Sequence, residues 1–476
     1  MQALIRQLNE LAEFEEISRD IRKGAGMIRV CGCVNSQKTH MMYALSDGCN
    51  YRVIACSSES KAKQVYEEYR FLDPNTYLYP AKDLLFYQAD LRSKELVSQR
   101  MEVIQAVAAG EEATVVTSFD AFMDSLLPKD VIVEKTVQIA NDSTLHLEEM
   151  QSRLVALGYD REVQIEAPGQ FAVRGGILDV YPLTEELPIR IELWGDEVDS
   201  IRTFDVETQR SIENLEEVSI CPAVEFPQEG EKGVSFLDYF PKEETILFLD
   251  EPVRLIEKGQ GVEEEFLEAQ KKRVESGYEV TDAEVQLYHT EEILKKMNAY
   301  SSVGFFALDM KCRGLETKAS FSLQTKSVNP YNSSFDMLTQ DLKRLKRNGY
   351  RVVLLSGSRT RAKRLAEDLR DYNLSSYYSD ELDREVAPGE IMTAYGHVAY
   401  GYEYPMLKFT VISETDIFGK TKKKKKRKTY EGRKIQSFAE LKVGDYVVHE
   451  NHGLGIYQGI EKIEVDKISK DYMKIS

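Results

Sequence analysis

The sequence predicts a multidomain α/β protein: a parallel-sheet domain carrying a small inserted α+β domain, then a second α/β domain, then the start of a small β-barrel. Three observations predict this fold class. Apolar strands alternate with amphipathic helices in the first part of the chain, short strands of alternating polarity follow at 160–222, and short strands separated by glycines occupy the end. Strands separated by helices form parallel sheets, whereas short alternating strands joined by turns form antiparallel ones.

Size and charge limit the classes of protein that the chain can belong to. Its 476 residues are enough for about three domains. The formal net charge of −18 argues against a protein that wraps nucleic acid over its whole surface, because neutralising phosphates requires basic surface. The amphipathic start at 1–17 does not resemble a signal peptide, and no long apolar run predicts a membrane span. We expect a cytoplasmic monomer whose main partners are proteins.

Neither the cysteines nor the histidines predict a metal centre. The six cysteines include no CxxC pair, so they are interpreted as reduced thiols rather than as a disulfide or zinc framework. The run from His449 to His452 has HExH spacing instead of HExxH, and the following glycines disfavour the helix that such a motif needs. The sequence therefore predicts no metal site.

Residues 1–129 are predicted to form the first part of the parallel-sheet domain. Strands of this sheet are expected at 27–33, 51–56 and 114–117, and a helix is expected at 58–71. Residues 130–222 are predicted to be an inserted α+β domain, with a helix at 145–157 and strands at 170–173, 177–181, 189–193 and 198–204. Gly195 and Asp196 predict a hairpin turn between the last two strands.

The remainder of the chain is divided into four segments. Residues 223–330 are helix-rich and highly charged, and are predicted to return to the first domain. Residues 331–418 are a second α/β domain of unknown role, with helices at 335–347 and 359–372 and strands at 351–355 and 409–413. The segment 419–437 contains the run KTKKKKKRK at 420–428, which is either a flexible linker or an electrostatic contact for DNA or RNA. Residues 438–476 begin a β-barrel with short strands at 446–448, 455–457, 464–465 and 472–475.

The sequence GCVNSQKT, which follows the first strand, is close to a phosphate-binding P-loop. Lys38 and Thr39 match the pattern GxxxxGK[ST] that starts at Gly32, but Gln37 stands where the second glycine belongs. A side chain at this position crowds the phosphate path. We also find no acidic strand end in this α/β unit that could hold Mg²⁺. The motif is therefore interpreted as a degenerate nucleotide site in a RecA-like domain, and no cofactor is expected in this region.

The inserted domain carries the most informative surface. Along the strand IRIELW, apolar residues alternate with Arg190, Glu192 and Trp194, which predicts a solvent-facing side with the only tryptophan of the chain. Upstream, Arg174 shares a face with Ala172, opposite Phe171 and Val173. Arginine and tryptophan are the residues most enriched at interaction hot spots. The alternative is that Trp194 lies under a helix and that the arginines pair with acids such as Glu192.

The sequence at 169–211 contains RGGILDVYP, ELPIRIEL and GDEVDSIRTFDVETQRS. It resembles the module shared by bacterial transcription-repair coupling factors (Mfd) and the excision-repair helicase UvrB. In these families the module docks onto the damage-recognition protein UvrA. By position, the resemblance implies that Arg174, Arg190 and Trp194 are UvrA-binding residues.

A second resemblance covers 444–475, with GDYVVHENHGLGIYQGI followed by EVDKISKDYMKI. It is similar to the RNA-polymerase-interacting barrel of the coupling factors, a Tudor-like domain related to CarD-type regulators. The resemblance implies binding to the β subunit of RNA polymerase. By position, the contacts fall on Ile460, Ile463 and Glu464.

Together, the two resemblances imply the N-terminal adaptor region of a coupling factor, which recruits UvrA to lesions marked by stalled RNA polymerase. The first domain is then UvrB-like without ATPase activity, which agrees with the degenerate P-loop and with the lack of a tyrosine-rich hairpin at 79–101. The ATP- and Mg²⁺-dependent motor, which contacts double-stranded DNA, is expected after residue 476, so the chain itself is not expected to be an enzyme. Two alternatives remain: a UvrB-like DNA helicase that hydrolyses ATP at Lys38 and Thr39, and a CarD-like regulator that binds polymerase only.

Overall fold

A computed structural model describes residues 1–82, 94–227, 232–275, 287–419, 446–449, 453–465 and 468–475. The chain divides into two compact units, Met1–Thr421 and Lys422–Ser476. The predicted basic linker at 420–428 lies outside the described residues. Among the helices of the described segments, none combines the length and apolar character that a bilayer span requires.

Seven parallel strands form the central sheet of the first unit. They are β1 (Gly26–Cys31), β2 (Tyr51–Cys56), β3 (Thr76–Tyr79), β4 (Ala113–Ser118), β13 (Thr245–Asp250), β14 (Ser301–Phe306) and β15 (Thr317–Ser322). Their order is β15-β1-β14-β13-β2-β4-β3, and every neighbouring pair is parallel. The predicted parallel sheet is confirmed.

Helices cover both faces of this sheet, and each face has its own hydrophobic core. They are α1 (Gln2–Ile5), α2 (Ala12–Ile21), α3 (Ser36–Ala44), α4 (Glu59–Leu72), α5 (Lys94–Ala109), α8 (Pro252–Glu275) and α9 (Thr290–Met297). Helices α2, α3 and α4 pack on one face, and α5, α8 and α9 pack on the other. The start of helix α4 has a local cause: the Ser58 hydroxyl caps the helix by accepting a hydrogen bond from the Lys61 amide.

The sequence prediction for 223–330 missed three strands of this sheet. Strands β13, β14 and β15 all come from that segment, and β13 and β14 lie in the interior of the sheet. Their sequences, TILFLD and SSVGFF, are short apolar runs without helical or alternating periodicity. A strand buried on both faces has no amphipathic signature, so the surrounding charged helices dominated the sequence pattern.

The inserted domain leaves and re-enters the first domain through neighbouring backbone. The Leu127 amide donates to the Glu225 carbonyl oxygen at 2.8 Å, which brings the two ends of the excursion together. Between them lie α6 (Lys129–Lys135), β5 (Val137–Ala140), α7 (Leu147–Ala156), β6 (Asp160–Arg161), β7 (Gln170–Arg174), β8 (Ile177–Tyr181), β9 (Ile189–Trp194), β10 (Glu197–Phe204), β11 (Ser211–Leu215) and β12 (Glu217–Ile220). Strands β6 to β11 form a six-stranded sheet in sequence order, and β5 pairs with β12.

The second α/β domain is built on a mixed six-stranded sheet. Its elements are β16 (Lys326–Ser327), α10 (Phe335–Arg347), β17 (Arg351–Ser356), α11 (Arg359–Asp371), β18 (Tyr377–Ser379), β19 (Ile391–Tyr395), β20 (Tyr402–Tyr404), β21 (Phe409–Ser413) and α12 (Glu414–Phe418). The strand order is β16-β20-β21-β17-β19-β18. Helices α10 and α11 cover one face, while the other face shares a continuous core with α2, α3 and α4. The second domain therefore does not have a core wholly of its own.

The described part of the second unit is a three-stranded antiparallel sheet. Its strands are β22 (Tyr446–His449), β23 (Gly453–Val465) and β24 (Ile468–Ile475), in the order β22-β23-β24. The predicted short strands at 455–457 and 464–465 are parts of the single strand β23. Its pairing with β24 shifts register between Tyr457 and Gly459, so this glycine lies at an irregularity within the strand instead of ending it.

Candidate functional site

On the inserted domain, a buried carboxylate organises the predicted docking residues. Asp179 of β8 lies directly opposite Arg190 of β9 in the antiparallel pair. Its Oδ1 accepts from Arg190 Nε at 2.7 Å and its Oδ2 from Arg190 Nη2 at 2.9 Å. Arg190 Nη2 also donates to Gln209 Oε1, and the guanidinium lies 4.2 Å from the centre of the Phe204 ring. Only 12% of the Arg190 side chain is exposed, so its main contacts are within the domain.

Arg174 shares the same carboxylate but remains accessible. Its Nη2 donates to Asp179 Oδ2 at 2.7 Å, while 45% of the side chain is exposed, compared with 2% for Asp179. Two guanidinium groups thus surround one carboxylate, which leaves a surplus of one positive charge among these three side chains. The half of Arg174 that faces solvent is where this surplus is available to a partner.

Trp194 is the last residue of β9, where it pairs with Glu197 across the hairpin turn. Gly195, with φ of +66°, allows this tight turn at its first central position. Trp194 is 84% exposed, so the alternative that a helix covers it is wrong. An exposed tryptophan has a large apolar area that only a partner can remove from water.

The alternative that the arginines pair with acids is correct, but their partner is not Glu192. Arg174 and Arg190 pair with Asp179, whereas Glu192 pairs with Arg202. Sequence reasoning missed Asp179 because it lies in the apolar strand ILDVY. Its position does carry a signal: an isolated acid in a buried strand requires a cationic partner, and hairpin pairing brings it opposite an arginine.

The P-loop remnant has its lysine neutralised by two carboxylates. Lys38 Nζ donates to Asp250 Oδ1 and to Glu251 Oε1, both at 2.6 Å. Only 8% of its side chain is exposed. Burial alone would lower the pKa of the Lys38 ammonium group, but the two carboxylates raise it above its ordinary value. The charge that a P-loop lysine would offer to a phosphate is therefore already paired.

This arrangement corrects one sequence prediction. An acidic strand end does occur in the sheet of the P-loop: Asp250 ends β13, Glu251 follows it, and β13 lies two strands from β1. The prediction was wrong because Lys38 and Asp250 are 212 residues apart, with the inserted domain between them. The sequence FLDE at 248–251 has the hydrophobic run followed by acids that such a strand end requires.

The residues around Lys38 connect the first domain with the second. Gln37 is fully buried, and its Nε2 lies 3.5 Å from the Glu403 carbonyl oxygen. One residue earlier, the Ser36 hydroxyl accepts a hydrogen bond from the Tyr400 amide at 3.0 Å. Thr39 is also buried. The side chain that replaces the P-loop glycine therefore lies at the contact between two domains.

His40 extends this contact through both of its ring nitrogens. Its Nε2 is 2.8 Å from the Leu4 carbonyl oxygen, which can only accept, so Nε2 carries the proton. Its Nδ1 consequently accepts from the Tyr404 hydroxyl at 2.9 Å. Complete burial lowers the pKa of His40 to about 4, although the bond to Leu4 opposes the shift. His40 is thus a neutral link between α3, the N-terminal helix and the second domain.

The structure gives the glycine at position 32 a packing role that does not involve phosphate. Its φ is +91°, and a Cβ atom there would collide with the carbonyl oxygen of Leu323. A cleft of about 550 Å³, which Lys38 helps to line, opens at the carboxyl ends of the parallel strands. It is lined by both carboxylates that hold Lys38, together with Arg254 and Leu308. Ligands commonly bind at this edge of α/β sheets, but the phosphate-binding lysine is paired here.

The predicted polymerase-binding residues all lie on β23. In the pairing with β24, Ile460 is opposite Met473, Ile463 is opposite Lys470 and Glu464 is opposite Ser469. The irregularity at Gly459 is directly before Ile460. The three residues therefore belong to one regular antiparallel ladder.

Comparison with known proteins supports both resemblances. A family model described as the UvrB interaction domain matches residues 137–226, which cover most of the inserted domain. A second, described as the CarD-like/TRCF RID domain, matches residues 441–476. The first match contains Arg174, Arg190 and Trp194, and the second contains Ile460, Ile463 and Glu464.

Relatives with matching sequences are named transcription-repair-coupling factor. The Bacillus subtilis (strain 168) protein is 28% identical over 98% of this chain and 45% of its own length. Proteins of Staphylococcus epidermidis (27% identical) and Staphylococcus aureus strain MRSA252 (28%) match 85% and 84% of this chain, and 39% of their own length in each case. The resemblance to coupling factors inferred from the sequence is confirmed. The chain spans less than half the length of these relatives.

Proposed function

We propose that this chain is the N-terminal adaptor region of a transcription-repair coupling factor, which recruits UvrA to DNA lesions where RNA polymerase has stalled. The observation that carries the proposal is the exposed pair of Arg174 and Trp194 on a domain that matches the UvrB interaction domain. Recruitment here requires surface complementarity and no chemical step.

The three residues of the docking surface have different roles. Trp194 supplies apolar area, and Arg174 supplies a charge that can pair with an acidic group of UvrA. Arg190 is a positioning residue, because it neutralises Asp179 and so fixes the carboxylate that orients Arg174. A partner with an acidic, partly apolar concave surface fits this arrangement.

The experiment measures UvrA binding to the immobilised chain by interferometry. Changing Arg174→Glu together with Trp194→Ala should weaken binding at least about thirtyfold, since two hot-spot contacts are worth a few kcal/mol. The matched control is Arg153→Glu, an exposed arginine of α7 in the same domain. Arg190→Glu is unsuitable, because it would place a third carboxylate beside Asp179 and Glu192.

Two results would contradict the proposed surface. One is UvrA binding that is unchanged in the folded double variant. The other is an equal loss in the Arg153→Glu control, which would indicate a general charge effect. Circular dichroism and the unfolding midpoint of each variant establish that the domain is intact.

The β22–β24 sheet is proposed to begin the domain that binds the β subunit of RNA polymerase. Its support is the match to the CarD-like/TRCF RID domain over 441–476. Ile463→Asp should abolish polymerase capture in a pull-down, whereas Ile456→Asp on the same strand is the control. Capture of polymerase without UvrA by the wild-type chain would instead favour the CarD-like regulator.

We further propose that the P-loop remnant has a structural role, and that ATP and Mg²⁺ serve a motor in the rest of the full-length protein. One observation keeps the UvrB-like helicase as a second candidate: Lys38 has the two acidic residues, Asp250 and Glu251, that a nucleotide site uses for Mg²⁺. Equilibrium dialysis with ATP and Mg²⁺ separates the two. Micromolar binding that is lost in a Lys38→Ala variant shown to be folded by circular dichroism would support the helicase.

A further inference from the structure

The first half of α11, in the second α/β domain, has an unusual charge distribution. This half contains four cations, Arg359, Arg361, Lys363 and Arg364. The acids of α11, Glu367, Asp368 and Asp371, all lie in its second half, together with the fifth cation, Arg370. Cations near the amino end of a helix oppose the helix dipole, so this order is unfavourable for the helix itself. It also contrasts with the net charge of −18 of the chain. A local basic face in an acidic protein therefore needs a reason outside helix stability.

Tyrosine rings hold two of these cations at the carboxyl edge of the sheet. The Arg359 guanidinium carbon lies 5.5 Å from the centre of the Tyr395 ring, and Lys363 Nζ lies 5.0 Å from that of Tyr378. Tyr395 also makes an edge contact with Phe71 of α4, at 6.0 Å between ring centres. We call Arg359, Lys363, Arg364, Tyr378 and Tyr395 the α11 edge.

Two carboxylates near the α11 edge, those of Glu414 and Asp380, have other partners. Glu414 Oε1 accepts from Arg361 Nη1 at 2.5 Å, and its Oε2 accepts from the Gly357 amide at 2.6 Å. Asp380 Oδ1 accepts from the Tyr378 hydroxyl at 2.6 Å. Within the described segments, no carboxylate forms an ion pair with Arg359, Lys363 or Arg364. Their charges are available to an external anion.

We propose that the α11 edge binds the phosphate backbone of duplex DNA. Three cations within six residues of a helix span about 8 Å, which allows contacts with two or three phosphates. The tyrosine faces are already occupied by Arg359 and Lys363, so base stacking, which single strands favour, is disfavoured relative to backbone contact. The choice of DNA as the polyanion rests on the proposed function, which brings the chain to damaged DNA.

The test measures binding of the full chain to a fluorescein-labelled 30-base-pair duplex by anisotropy at several salt concentrations, without UvrA or polymerase. The variant Arg359→Ala/Lys363→Ala/Arg364→Ala should bind at least about tenfold more weakly at 0.1 M salt, and the slope of log K against log salt should fall by about 2 to 3. The matched control is Lys343→Ala/Lys346→Ala/Arg347→Ala, which removes three cations from α10 of the same domain.

The basic run at 420–428 can bind DNA by its charge alone, so both variants are repeated with its lysines 422–426 changed to glutamine. In that background the α11 variant should lose most of the remaining affinity and the α10 control should keep it. Arg364→Glu alone, which disturbs no ring contact, provides the same test if the triple variant does not fold.

Three results would overturn the proposal: unchanged duplex affinity of the α11 variants in both backgrounds, an equal loss in the α10 control, or a loss confined to single-stranded oligonucleotides. Because UvrA is absent, failure here leaves the UvrA docking result unaffected, and failure of UvrA docking leaves this result unaffected.

Discussion

Asp179 and Arg190 face each other across β8 and β9, and the carboxylate accepts two hydrogen bonds from the guanidinium, at 2.7 and 2.9 Å. Asp179 is almost fully buried, and this arginine provides the counter-charge that a buried carboxylate requires. The same carboxylate holds Arg174, whose side chain reaches solvent. The interior of the inserted domain thus determines how its surface presents a charge.

Replacing each arginine should separate stability from docking. Arg190→Ala should lower the free energy of unfolding by roughly 2–4 kcal/mol, because it leaves the buried Asp179 with a single, partly exposed partner. Arg174→Ala should cost less than about 1 kcal/mol, because solvent screens its half of the pair. Urea unfolding followed by circular dichroism measures both. Equal costs for the two variants would show that Arg190 is not the structural partner.

Replacing the P-loop lysine should lower the free energy of unfolding of the chain. It should not affect a nucleotide reaction. Lys38→Met leaves Asp250 and Glu251 together without a counter-charge, which should cost about 3–5 kcal/mol. The triple variant Lys38→Met/Asp250→Asn/Glu251→Gln should recover a large part of this loss. Thermal and urea unfolding provide the measurement, and no recovery in the triple variant would argue against the ion pairs as the cause.

The His40 contact should make the first unit sensitive to acid. Its pKa is about 4 in the folded chain against an ordinary value of 6.5, so the unfolded state binds the proton more readily. The stabilisation is therefore fully present above pH 6.5 and is lost progressively as the pH falls toward 4. A difference of about 2.5 pKa units corresponds to about 3 kcal/mol.

Stability measured from pH 7.5 to 4 tests this expectation. His40→Gln cannot titrate, so its unfolding free energy should fall less steeply over the same interval. Parallel pH profiles of the wild-type chain and the His40→Gln variant would exclude His40 as the source of the acid sensitivity.

Two glycines with similar backbone angles should differ in their tolerance of alanine. Gly32 (φ +91°) has the Leu323 carbonyl oxygen where a Cβ would lie, whereas Gly48 (φ +79°) has no atom within 4 Å. Gly48→Ala should cost only the backbone strain, about 1–2 kcal/mol. Gly32→Ala should cost clearly more, since β1 and the Leu323 segment must separate. Equal unfolding midpoints for the two variants would contradict the packing role of Gly32.

The sequence alone was sufficient wherever the pattern was local. The helix at 335–347 and the strands at 51–56, 177–181 and 409–413 have the predicted bounds, because each is a periodic or apolar run ended by a turn or cap. The antiparallel hairpin at Gly195 was predicted for the same reason. The family resemblance also came from local motifs, and the comparisons confirm it.

The sequence failed where residues that are distant along the chain meet. It identified Arg174, Arg190 and Trp194 as neighbours on one surface, but not Asp179 as the buried group that holds both arginines. It identified Lys38 but missed Asp250 and Glu251. The side chain of Gln37 was interpreted only as a defect in the P-loop, whereas it lies at the contact with the second domain.

The sequence by itself thus determined the elements, the class of fold and the family resemblance, because helix caps, turns and apolar periodicity are encoded within about ten residues. Only the tertiary structure decided which charges are paired and which remain accessible. A parallel sheet orders its strands by packing and not by sequence position, so β13 could bring its carboxylates to Lys38 from 212 residues away. The same packing joins the second sheet to α3 and buries His40 between them.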